Sequence, residues 1–380
     1  VRSGYNKKMF GEQIYGAFKE VKSTFDPNGI MNPGKIVDSP PMTTNLRFGK
    51  EYRTVEVESG FSFREEGGFA SAIEMCNGQG ACRKITSGIM CPSYMATRDE
   101  EHSTRGRANA LRAAIAGKLP KDSLTSKRMY EVMDLCLECK GCKSECPSNV
   151  DMAKLKYEFL GLYHKSNGFK LNNRFFSNVS LLSQIGTFFA PITNWMLGAS
   201  PTKILMEKAI GIDKRRNLPN FASQTLSHWF RSRNNVGSTS ATKGKVVLFP
   251  DTTTNYNHPH LGIAAVKVLE KLGYEVIIPD SKCCGRPMLS NGMIDKAKEN
   301  IKSNVEMIYP LVKDGAKLIG VEPSCVLGFM EDFGDLIDDP EKIDLISQNT
   351  MLIEQFFLYD ATKYGKIEFS NPPKSKKVMF

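Results

Sequence analysis

The chain has 380 residues, 41% apolar and 24% charged, with a formal charge of +10 and ten cysteines. That length suits two or three domains, each with its own core. The charge is dispersed and has no aromatic-basic platform beside it, which argues against a nucleic-acid reader and fits an acidic partner or an anionic membrane surface better.

No charged-then-apolar leader follows Val1, so the ten thiols point to a reducing compartment, the cytoplasm, where cysteines serve metals and redox chemistry more than disulfides. Because the first residue is not Met, the chain reads as a piece of a longer polypeptide.

Over residues 1–36, apolar residues three and four apart from Met9 to Val21 predict a helix. It is expected to break at Phe25-Asp26-Pro27-Asn28-Gly29, with a second turn at Asn32-Pro33-Gly34-Lys35. One helix and its exit are too little for a domain. Residues 37–70 are Pro-rich, then β-like over Tyr52–Val57, then Gly-rich at Gly67-Gly68, and read as a connector.

Residues 71–165 carry the most informative pattern. Cys136, Cys139 and Cys142 are spaced three apart, and Cys146 follows just before Pro147. Three thiolates so spaced wrap one iron-sulfur cluster, and the fourth typically reaches a second one. Structural zinc is the alternative. Upstream, Cys76 and Cys82 occupy the first and third places of the same pattern, Gln79 stands where the second cysteine would be, and Cys91-Pro92 is a displaced fourth.

With the ligand crossing of two-cluster ferredoxins, Cys91, Cys136, Cys139 and Cys142 hold a complete [4Fe–4S] cluster. Cys76, Cys82 and Cys146 are then left with a second cluster one thiolate short. This second centre is either [3Fe–4S], or [4Fe–4S] with water, Gln79, Asn77 or another side chain on its last iron. Between the half-motifs, Ser103 to Ala116 reads as a helix. Arg98, Arg105, Arg107 and Arg112 either offset the charge of the thiolates or pair with Asp99, Glu100 and Glu101.

Residues 166–231 read as helical. Phe175–Thr202 contain no charge, but Gly186, Pro191, Pro201 and many polar residues deny them the roughly 20 predominantly apolar residues of a span. Buried or amphipathic helices are expected, with peripheral docking on the inner membrane left open. Residues 232–244 have the small, polar composition of a linker.

From 245 to 335, within a domain expected to span 245–380, strands and helices alternate: strands at Lys245–Pro250, Tyr274–Pro279 and Ala316–Val321, helices at His260–Leu272 and Ile294–Val312. That order implies a parallel sheet, with sites at its strand ends. Cys283-Cys284-Gly285 follows the second strand and Cys325 the third, so the three thiols should converge on one edge. Metal ligation by Cys283, Cys284 and Cys325 and a set of buried or redox-active thiols both remain open. The fold class is therefore α+β and multidomain: a helical two-cluster ferredoxin-like domain, then an α/β parallel-sheet domain.

Three stretches carry a resemblance. FDPNGIMNPGKIVD resembles the closing segment of FAD-linked oxidases acting on 2-hydroxy acids, the glycolate oxidase, D-lactate dehydrogenase and D-2-hydroxyglutarate dehydrogenase type. CNGQGACRK, MCPSYMATRDEEHSTRGRANALR and CLECKGCKSECPSNVDM resemble the iron-sulfur segment behind the flavin domain in long single-chain members.

Residues 245–380 resemble the first half of the CCG domain shared with heterodisulfide reductase, with Asp251 and Gly328 standing where further cysteines are expected and a strand-like end at Val378-Met379-Phe380. The resemblance implies an upstream FAD domain as partner, absent from this chain, and electron transfer to a quinone or a soluble acceptor. A heterodisulfide-reductase-like thiol/disulfide module is the alternative. No catalytic residue for substrate is identifiable.

Overall fold

The computed structural model of the protein describes residues 3–44, 46, 49, 51–233 and 243–365. Most of the linker at 232–244 and the strand-like end at Val378–Phe380 lie outside the described residues. The chain divides into two compact units, residues 1–55 and 56–380.

In the first unit a helix runs from Asn6 to Phe25 and is interrupted at Gly11, where φ is 77°. It stops where Pro27 disfavours helical geometry in the residue before it. The Asp26 carboxylate then closes the turn, accepting the N–H groups of Ile30 and Met31 at 2.9 Å each and the Lys22 ammonium.

The second unit has a helical part and a sheet part. The axis of the helical part is the helix Met152–Asn167, buried without a break from Met152 to Gly161. A helix buried all round must pair its charges. Lys154 donates to Asp335 at 2.5 Å and to Glu66 at 2.7 Å. Lys156 reaches the Cys136 carbonyl at 2.7 Å and Glu138 at 3.2 Å, and Glu158 accepts the N–H groups of Gly60 and Phe61 at 2.9 and 3.0 Å.

Those last bonds bear on one expectation. Tyr52–Val57 form no strand. The alternation suits an edge, but a strand needs a ladder, and just beyond it the backbone at Gly60, Phe61 and Arg64 is held by the side chains of Glu158 and Asp335.

Short helices surround the axis. Thr104–Ile115 is capped by the Ser103 hydroxyl, which accepts the Gly106 N–H at 2.9 Å. Residues 171–210 form four helices in succession, Leu171–Ser177, Val179–Phe188, Ala190–Gly198 and Ser200–Ile210. No helix among the described residues is long and apolar enough to cross a membrane.

The sheet is parallel, with β1 (Gly244–Leu248), β2 (Tyr274–Ile277), β3 (Lys317–Gly320) and β4 (Thr350–Leu352) in the order β2-β1-β3-β4. The helices Pro259–Lys271 and Ile294–Lys313 make the crossovers. β4 escapes sequence reading because it is three residues long and runs directly into the helix Ile353–Tyr364.

Alternate residues of β1 face opposite ways: Val247 joins the core that extends into the helical part, while Val246 and Leu248 join a second core with Phe356. Trp229 and Phe230 pack against that second core. With β1 between β2 and β3, the order reverses at β1/β3, which puts the crevice for chemistry beyond the carboxyl ends of those strands.

Candidate metal centre

Cys91, Cys136, Cys139 and Cys142 line one small cavity together with Met90, Arg107, Lys140, Met152 and Ala153. Three of these thiols come from one tight loop. Glu138 and Lys140 on either side of Cys139 adopt left-handed backbone, φ 56° and 57°, and so coil the chain around the cavity. Cys91 comes from the N-cap of the helix Pro92–Thr97, and is tied to the other loop by Glu145, whose carboxylate accepts the Ile89 and Met90 N–H groups at 2.6 and 3.2 Å.

The sulfurs are prepared for charge. Cys142 Sγ accepts the Met152 N–H at 3.4 Å, although burial still pushes its thiol up to about 12. Burial would raise Cys91 as well, but the Ser93 hydroxyl and the Arg107 guanidinium outweigh it and hold the thiol below its ordinary value. Arg107 is fully buried and donates to Ser93 Oγ at 3.1 Å, to the carbonyls of His102 and Val132 at 2.8 and 3.0 Å, and towards Cys91 Sγ at 3.8 Å.

The donor set fits an iron-sulfur cluster: four thiols around an apolar cavity, with amide and guanidinium donors to the sulfurs. Among the described residues, no group of three or more His, Cys, Asp or Glu converges on a point for a single metal ion.

The second trio is less gathered. Cys76 and Cys82 are buried, burial and the neighbouring Cys76 push the Cys82 thiol up, and Cys82 Sγ accepts the Arg105 N–H at 3.4 Å. The Cys76 carbonyl accepts from Arg112 at 2.8 Å. Cys146 lies half-buried beyond Cys142, outside the four-thiol cavity. Gln79 is exposed, and its N–H donates to Asn77 Oδ1 at 2.9 Å.

Three of the four arginines divide between the two expected roles, while Arg98 is exposed. Arg105 pairs with Glu100 at 2.7 Å and also holds the Gly78 carbonyl at 3.1 Å, while Arg107 and Arg112 serve the cysteine loops.

The parallel sheet brings the other three cysteines to its carboxyl edge. Cys284 Sγ and Cys325 Sγ are 2.9 Å apart, both buried, and the half-buried Cys283 is hydrogen-bonded to Cys284. Beside them Asp251 caps the helix Thr252–Tyr256, accepting the Thr254 N–H at 2.9 Å through Oδ1, while its buried Oδ2 has no partner among the described residues. Burial pushes the Asp251 carboxyl up.

One constellation gave no sign in the sequence. The Lys140 ammonium bonds Asp332 Oδ1 at 2.5 Å and Asp151 at 3.0 Å, and Arg286 bonds Asp332 Oδ2 at 2.7 Å. Lys140 separates Cys139 from the Gly141-Cys142 turn, and Arg286 follows Cys284-Gly285, so a single carboxylate joins the two cysteine loops. Asp332 ends a π-helical turn, Gly328–Asp332. Asp332 is far in the chain from both Lys140 and Arg286 and belongs to no motif.

Comparison with known proteins agrees with this geometry. The model for the C-terminal domain of FAD linked oxidases matches residues 1–36, that for a 4Fe-4S dicluster domain residues 61–150, and that for a cysteine-rich domain residues 248–330.

The D-2-hydroxyglutarate dehydrogenase of Escherichia coli K12 is 25% identical over 87% of this chain and 36% of its own length. One subunit of the anaerobic glycerol-3-phosphate dehydrogenase of the same organism is 34% identical over 45% of this chain and 43% of its own length. A probable glycolate oxidase iron-sulfur subunit of Bacillus subtilis is 25% identical over 66% of this chain and 58% of its own length. The chain thus spans about a third of the length of the D-2-hydroxyglutarate dehydrogenases it matches. No solved structure matches.

Proposed function

Taking the chain as the C-terminal iron-sulfur and cysteine-rich part of a polypeptide of the FAD-linked oxidase family, we propose that it is the electron-transfer portion of a 2-hydroxy acid dehydrogenase. It passes electrons from an upstream flavin to a quinone or another acceptor. The observation that carries this reading is the single cavity lined by Cys91, Cys136, Cys139 and Cys142. These four hold a complete [4Fe–4S] cluster. Cys76, Cys82 and Cys146 hold a second, [3Fe–4S] or [4Fe–4S] with a non-thiolate ligand at the exposed Gln79 side.

When bound, such clusters supply one-electron steps at potentials set by charge, hydrogen bonds and exposure. The chain's own part is to fix those settings. Arg107 places a buried cation beside Cys91, and the Met152 and Arg105 amides donate to Cys142 and Cys82.

The same reading places the protein in the cytoplasm, resting on a membrane surface. The charge-free helices between 175 and 202 leave Phe188 and Trp195 81% and 74% exposed. Exposed cations flank them, Lys165, Lys170 and Arg174 before and Lys214, Arg215 and Arg216 after. An apolar face between cationic borders suits the interface of an anionic bilayer.

Anaerobic iron and sulfide analysis with EPR tests the relay. About seven or eight irons per chain, with matching sulfide and a signal from reduced [4Fe–4S], is the expected result; zinc without sulfide would overturn it. Sedimentation with anionic but not neutral vesicles tests the surface contact.

A further inference from the structure

We propose that Cys284 and Cys325 form a reversible dithiol–disulfide pair, with the half-buried Cys283 as its entry thiol. The inference stands whether or not the four-thiol cavity holds iron.

Geometry carries it. The two sulfurs lie 2.9 Å apart, so closing to the roughly 2.05 Å of a disulfide requires a movement of roughly 0.9 Å. The separation is fixed by the fold. Asn304, fully buried in the helix Ile294–Lys313, accepts the Lys282 N–H at 2.9 Å and donates to the Lys282 and Cys283 carbonyls at 3.1 and 3.3 Å. Gly285, at φ 91°, turns the chain directly after Cys284, and Cys325 sits in the first turns of the helix Pro323–Leu327.

A mononuclear metal would need further ligands, yet Gly328 supplies no side-chain ligand, and Asp251 Oδ1 is engaged in capping the helix Thr252–Tyr256. Disulfides in reducing compartments are transient and catalytic or redox-sensing, and a pair in contact but unbonded is suited to that.

The oxidant is a low-molecular-weight disulfide, RSSR. The Cys283 thiolate attacks it, forming Cys283–S–S–R and releasing RS⁻. Cys284 displaces the second RS⁻ from Cys283, and Cys325 then displaces Cys283 from Cys284. The balance is two protein thiols plus RSSR giving Cys284–S–S–Cys325 plus two RSH, and Cys283 is regenerated. Hydrogen bonding within the trio, together with burial, holds Cys283 and Cys284 above their ordinary values, and burial raises Cys325.

The test is redox titration of the full chain in anaerobic oxidised and reduced glutathione buffers, followed by acid quenching, alkylation and peptide mass spectrometry, with iron measured on the same samples. The expected result is joint loss of the Cys284 and Cys325 alkylation sites at one midpoint, with a cross-linked peptide. Cys325→Ser abolishes the cross-link, and Cys283→Ser slows its formation at least tenfold while leaving the midpoint unchanged.

If Cys284 and Cys325 of the unsubstituted chain stay alkylatable at every ratio, pair with Cys283, or retain stoichiometric zinc or iron, the proposal is overturned. Failure of the relay instead shows as missing iron and sulfide, with the cross-link intact.

Discussion

Removing Asp332 should cost more than removing any exposed charge on the protein. The carboxylate is 1% exposed and bonds Lys140 and Arg286 through separate oxygens. Asp332→Ala leaves Lys140 with Asp151 and Glu331, but leaves Arg286 beside the Tyr157 ring with its cation unmatched. Breaking a buried pair from one side costs about 3–5 kcal/mol, because the partner's charge stays behind.

Urea unfolding followed by far-UV circular dichroism reads this directly, and the melting temperature should fall by roughly 6–10 °C at about 2 °C per kcal/mol. Asp332→Asn keeps hydrogen-bonding atoms without the charge and should fall in between. The decisive variant is the double one. Asp332→Ala with Arg286→Met removes the stranded cation and should recover part of the loss, a coupling opposite to simple addition. A loss under about 1 kcal/mol for Asp332→Ala, or a double variant as damaged as the sum of the single ones, would refute the shared-carboxylate account.

Other substitutions probe the rest. Gly106→Ala should destabilise by about 1–3 kcal/mol or more in the same unfolding assay, since a Cβ there would meet the Glu100 carbonyl oxygen at 2.0 Å and backbone cannot yield as a side chain does. Cys139→Ser and Cys146→Ser should abolish different EPR signals if the ligands cross, the first removing the complete centre and the second the incomplete one; the same signal lost in both would mean that the motifs do not exchange ligands.

His164 predicts a pH effect. Burial holds its imidazole below the ordinary value, with Nε2 buried and without a partner among the described residues while Nδ1 faces the Gly168 carbonyl at 2.9 Å. A group depressed on folding contributes stability that is complete above the unfolded value near 6.5 and lost as pH falls through the folded value. The melting temperature should therefore drop between pH 7.5 and pH 5, and His164→Phe should flatten that drop.

What could be read from the sequence follows the range of each interaction. The spacing of Cys136, Cys139, Cys142 and Cys146 is local and dictates a loop, so it was legible; so were the Phe25–Gly29 break and the alternation that yields β1, β2 and β3. The bond between Lys140 and Asp332 spans 192 positions and involves residue types found everywhere on surfaces, so no local pattern announces it. Tyr52–Val57 shows the converse failure: a strand pattern is only half of a strand, and the other half is a neighbour. The charges of Lys154, Lys156 and Glu158 likewise suggest a solvated face until their partners, Asp335, Glu66 and the Gly60 amide, are in view.

One asymmetry of the four-thiol cavity reaches beyond stability. Cys91 and Cys142 are buried and Cys136 is half-buried, but Cys139 is exposed, at the apex of its left-handed turn. A cluster held there has three dry corners and one wet one. The wet corner is the shortest way in for an electron donor, and also the first place where dioxygen or a chelator would meet iron. Handling in air should therefore erode the centre from Cys139 inward, and whatever docks over that cysteine in the intact polypeptide also serves as its shield.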